Sequence, residues 1–103
     1  MPYFYDTFMD HRRKQWLRSI NAVEVQVGGT WHRGDFNKKE IEGDKLVIMA
    51  SFPTLDSEAC TITASRVIDV RGEIAAYQQR TITKKAGQGT LIRIVIPIYE
   101  VIP

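Results

Sequence analysis

Hydrophobic positions change period once along the chain, close to Asn21. Before that point Phe4, Phe8, Trp16 and Ile20 recur at multiples of four, with Met9 and Leu17 alongside. Side chains four apart share one face of a helix. Arg12 interrupts this stripe, and His11, Arg13, Lys14, Gln15 and Arg18 fill the other side. Asp6 or Thr7 stands where a helix-capping side chain accepts a backbone N–H, and neither glycine nor proline follows before residue 28. A helix is predicted over residues 6–19.

After Asn21 the period becomes two, the mark of a half-buried strand: Val23, Val25 and Val27 alternate with Glu24 and Gln26. Gly28-Gly29 then predicts a tight hairpin into Thr30–Arg33, because glycine takes up the positive φ that such turns need. Further strands are expected over Phe36–Ile41, Lys45–Phe52, Cys60–Val70 and Glu73–Gln79. Between them lie a Gly43-Asp44 turn, a Pro53–Glu58 loop and an Asp69-Val70-Arg71-Gly72 type I turn. After a polar Lys84–Gly89 loop, Leu91–Val101 reads as one long strand, with Ile92, Ile94, Ile96 and Ile98 on a single buried face. Its other face is mixed. Pro97 inside it points to a sheet edge, where a missing N–H is tolerated and another chain's strand can add. Strands joined by short turns run antiparallel. The expected fold is mainly β: a small antiparallel β-sandwich or open barrel with one N-terminal α-helix. The chain reads as a single domain, 1–103, with antiparallel β-structure over 22–102.

Composition narrows the function classes. At 103 residues the chain holds one modest core. No apolar run approaches the roughly 20 residues that cross a bilayer, and Asp6, Asp10 and His11 break up any signal-peptide core. A cytoplasmic site of synthesis with no membrane partner is expected. The lone Cys60 is read as a small buried hydrophobe, and Trp16 and Trp31 as core residues, one of them partly exposed. His11, His32 and Cys60 do not have zinc-ligand spacing, Asp35–Asp44 lacks the pattern of a calcium loop, and Gly87-Gln88-Gly89 leads into a strand rather than a phosphate-binding helix. No catalytic, cofactor-binding or metal-binding residue is predicted, no cofactor is expected, and the chain is read as a non-enzyme. The net charge of +2 resides in the first 20 residues; the remainder is balanced. The run His11-Arg12-Arg13-Lys14-Gln15-Trp16 raises nucleic-acid binding by a basic helix on a β-barrel as the alternative function.

Residues 61–101 carry a further pattern. Ile62-Thr63 is followed by Val67-Ile68-Asp69-Val70-Arg71-Gly72-Glu73-Ile74-Ala75-Ala76. Lys84-Lys85, Gly87-Gln88-Gly89 and Leu91-Ile92-Arg93-Ile94-Val95-Ile96 come after it. This resembles the strand-and-turn skeleton of bacteriophage tail-collar fibre domains and related small tail or baseplate-associated proteins. The resemblance implies a structural role in a phage or prophage tail, in the virion if the chain is phage-derived. It implies partners among other tail or baseplate proteins or further copies of the chain, and it transfers no catalytic residue. Arg12, Arg13, Trp16, Pro97 and Tyr99 are the candidate partner-binding residues.

Overall fold

The structure is a computed structural model, and it describes residues 3–101. Helix α1 (Asp6–Ser19) leads into strands β1 (Ile20–Val27), β2 (Thr30–Arg33), β3 (Asp35–Glu42) and β4 (Lys45–Ser51). A 3₁₀ turn (Pro53–Leu55) precedes β5 (Cys60–Asp69), β6 (Ile74–Lys84) and β7 (Leu91–Pro97). Every pairing is antiparallel, in a four-stranded sheet of order β2-β1-β5-β6 and a three-stranded sheet of order β3-β4-β7. The fold is therefore mainly β, two open sheets with one N-terminal helix, and the sheets do not close into a barrel. The molecule is elongated, 50 × 25 × 24 Å.

α1 occupies the predicted residues but is held differently. Its first turn is closed by the Tyr5 carbonyl, which accepts from the N–H groups of Phe8 and Met9 at 3.1 Å, and neither Asp6 nor Thr7 caps it. Asp6 in the first turn and Arg18 in the last instead complement the helix dipole. No residue of α1 is buried; only Leu17 packs against the main core. The chain then enters β1 without a loop: Ile20 is already extended, and its N–H donates to the Leu17 carbonyl. The sheet thus starts at Ile20 rather than at residue 22. A register shift between Ile20 and Ala22 lets Ile20 join Val23 and Val25 in the core. Facing them across the sandwich are Ile48, Ala50 and Ile92, with Leu55 from the 3₁₀ turn and Phe52 just before it.

Two corners set the layers. Gly28 (φ 57°) and Gly29 (φ 94°) make the two-residue turn that pairs Val27 with Thr30, as the Gly-Gly signal requires. At Gly34 the chain crosses from the first sheet to the second, with its N–H donating to the Val23 carbonyl at 2.9 Å. A Cβ at Gly34 would lie 2.7 Å from both Phe52 Cε1 and the Ser51 carbonyl, so no larger residue fits.

Three expectations are corrected. β6 runs on to Lys84, which is not in a polar loop but buried, because its ammonium closes the preceding loop: Nζ donates to the carbonyls of Leu55 (2.6 Å), Glu58 and Lys85 (3.3 Å). Cys60 opens β5 and is half-buried. β7 stops at Pro97, short of residue 101, because its partner β4 begins at Lys45, the residue opposite Pro97, and no residue of β4 lies beyond that pair. The Ile98 N–H turns to the Asp44 carbonyl at 2.8 Å.

Candidate interaction groove

The two sides of the sandwich differ because only one is stitched. Gly34 joins the sheets directly at the β2–β3 side. On the opposite side β6 and β7 are the outer strands of their sheets, and neither bonds to the other. Pro97 thus lies on an edge strand, as its missing N–H implies. Between these edges opens a groove of about 700 Å³. Its floor comes from both sheets: Val23 and Val67 from the first, Ile48, Ile92, Ile94 and Ile96 from the second. The isoleucine ladder of β7 is thus only partly buried. Ile92 is 2% exposed, while Ile94 and Ile96 are half-open to the groove and Ile98 lies past the strand.

The rim is polar and cationic. Gln78 and Arg80 of β6 and Arg93 of β7 line it, with Arg66 behind them on β5. Asp69, the one carboxylate in the lining, is already held by Arg71 (2.9 Å) and by the N–H groups of Arg71 and Glu73. The Glu73 N–H, against some opposing desolvation and with Arg71 helping, keeps the Asp69 pKa below its ordinary value. β6 is exposed on both faces from Ile74 to Gln79, and Ile74 and Tyr77 remain more than half exposed.

Behind the rim a polar row supports the first sheet. Glu24 of β1 sits opposite Arg33 of β2 and Arg66 of β5. It accepts from Arg66 Nε at 2.8 Å and from Arg33 Nε at 3.1 Å. Burial pushes its pKa up, but these two hydrogen bonds and the arginine charges outweigh burial and hold it below the usual carboxylate value. Arg66 also lies 3.9 Å from the centre of the Trp31 ring, which meets Tyr77 edge-on at 6.3 Å. Trp31 is accordingly half-buried in a surface cluster rather than in the core.

The predicted contact residues separate into three places. Trp16, 53% exposed rather than core, lines one end of the groove. Arg13 Nε donates to the Ile98 carbonyl at 2.9 Å, so it ties α1 to the segment between Pro97 and exposed Tyr99. Arg12 lies over the Phe8 ring at 4.9 Å, and Phe8 stacks on Phe4. The sequence reading missed Glu100, whose carboxylate accepts the N–H groups of Tyr3 and Phe4, and it missed Arg80 and Arg93 on the rim. Arg93 carried a visible signal: it is the one charge within an apolar run. Arg80 carried none, since its place depends on where β6 lies. Among the described residues no helix is long and apolar enough to cross a membrane, and no group of three His, Cys, Asp or Glu side chains is placed to hold a metal ion. The groove thus combines an apolar floor, two free strand edges and an arginine-bearing rim. Compared with known proteins, the chain matches no family model, no curated protein and no solved structure.

Proposed function

We propose that this chain is a non-enzymatic assembly protein of a phage or prophage tail, acting through protein–protein contacts. The observation that carries the reading is the unstitched side of the sandwich, where two free strand edges flank an apolar groove. Free edges and open apolar surface are what one chain offers another. The tail assignment rests on the resemblance of residues 61–101, the stretch that forms β5, β6 and β7. In a virion, the two sheets act as a stiff frame, and Trp16 with the groove forms the contact surface.

The basic helix gives less support to nucleic-acid binding. Arg13 bonds to Ile98, Lys14 pairs with Asp10 at 3.3 Å, and Arg12 lies over Phe8. Co-expression of the whole chain with the proteins encoded on either side of its gene tests the proposal, with light scattering at several concentrations. Capture of a tail component, or growth of a symmetric oligomer, is expected. A strict monomer that captures no neighbour, or binding to DNA that fades steeply with salt, overturns it.

A further inference from the structure

We propose that the groove takes up an extended segment of a different protein, one that alternates apolar with acidic side chains and adds as a strand on the free edge of β7. The inference rests on the assembly reading and names the chemistry of the partner.

Three observations converge on it. β7 hydrogen-bonds to β4 on one side only, and its other side borders the groove. An added strand would bond along Leu91–Ile96, beyond which Pro97 offers no N–H. The side chains of a strand alternate between two faces. Those turned inward would meet Ile94, Ile96 and Val67, so they are apolar. Those turned outward would lie beside the outward row of β7, where Leu91, Arg93 and Val95 are exposed. Arg93 and Arg80 have no carboxylate partner among the described residues, and the only carboxylate in the groove is held by Arg71. The local field therefore favours an acidic segment.

A second copy fits less well. A two-fold pairing would set this arginine-bearing rim against itself. Nor can β3, with Asp35, Glu40 and Glu42, readily serve as the incoming strand. It already packs near α1 and β1, and Lys39 Nζ donates to the Ile20 carbonyl at 2.6 Å.

The test selects binders from a displayed library of random short peptides against the full chain. Affinities for the selected peptides are then measured with wild type, Arg93→Glu, and Lys85→Glu as a charge-matched control in an exposed loop. Circular dichroism checks that the variants fold. The expected winners alternate apolar and acidic residues. They bind Arg93→Glu about tenfold more weakly and Lys85→Glu nearly unchanged, since reversing one rim charge turns an attraction into a repulsion. Amide exchange slows along 91–96 when they bind. The inference falls if no sequence is enriched, if the winners lack acidic alternation, or if Arg93→Glu binds them equally well. It also falls if protection appears on α1 instead, or if self-association of the chain competes the peptides away. Capture of a tail component that persists in Arg93→Glu would sink this inference while leaving the assembly reading intact.

Discussion

Glu24 is the residue whose environment most directly links charge to stability. Its carboxylate is almost covered and held by two guanidinium groups, one on each neighbouring strand. Because its pKa is lower in the folded chain than in the unfolded one, its contribution is complete above the ordinary carboxylate range and fades as pH falls through the folded value. Asp69 acts in the same direction. Glu24→Gln is therefore expected to destabilise the chain by about 1–3 kcal/mol near neutral pH, since Arg66 loses its charged acceptor. The variant should also lose less stability than wild type between about pH 7 and about pH 3. Urea unfolding at several pH values measures both effects; equal acid sensitivity would show that Glu24 is not the titrating group. Lys84 makes the complementary case. Its ammonium is buried and satisfies three carbonyls of the loops around the 3₁₀ turn. Lys84→Met keeps the apolar stem but strands the Glu58 carbonyl, while those of Leu55 and Lys85 keep the N–H groups of Glu58 and Gln88, so a loss of about 1–3 kcal/mol is expected in the same unfolding assay.

Among the elements, the bend at Gly34 decides which side of the sandwich is closed. Backbone of the second sheet and the Phe52 ring come so near that even a methyl group collides. Gly34→Ala should cost about 1–3 kcal/mol, the range for overpacking a filled site, and thermal unfolding would register it. The attachment of α1 is weaker by comparison. It depends on Leu17, on the Arg13–Ile98 bond, and on Glu100 receiving the Tyr3 and Phe4 N–H groups. Arg13→Ala is expected to speed amide exchange in α1 while changing global stability by less than about 1 kcal/mol, because the strands hold most of the core. Local alternation made the strands readable in advance: Val23, Val25 and the run from Ile92 to Ile96 could form little else. The Gly28-Gly29 turn was equally readable, since two positive φ angles in succession nearly demand glycine. The strand ends were not readable. The halt at Pro97 is set by where β4 begins, and the extension of β6 to Lys84 by carbonyls more than 25 residues earlier in the chain. Exposure of the Phe8–Trp16 stripe was hidden for a related reason: helical spacing marks a face but not whether anything covers it.

At the scale of the whole molecule, topology creates the groove. Strand order leaves β6 and β7 unpaired on the same side, so the ladder of Ile94 and Ile96 is covered on its sheet but open beside it. Neither alternation nor composition encodes that, because both edges follow from pairings between distant strands: β1 with β5, and β4 with β7. Pro97 was the one local hint, and it named an edge without naming what the edge faces. A groove that is apolar on its floor and cationic on its rim should bind the anionic, apolar dye anilinonaphthalene sulfonate in the folded state. Ala76 of β6 lies in the lining and is exposed, so Ala76→Trp can fill the space without displacing a buried side chain. That substitution should abolish most of the dye fluorescence, and Arg93→Glu should reduce it by removing the charge attraction. The unfolding free energy of Ala76→Trp from urea titration should stay within about 0.5 kcal/mol of wild type, as for other changes at exposed sites. Dye binding that is absent from the wild type, or untouched by both substitutions, would mean that the two edges meet in solution and leave nothing for a partner to enter.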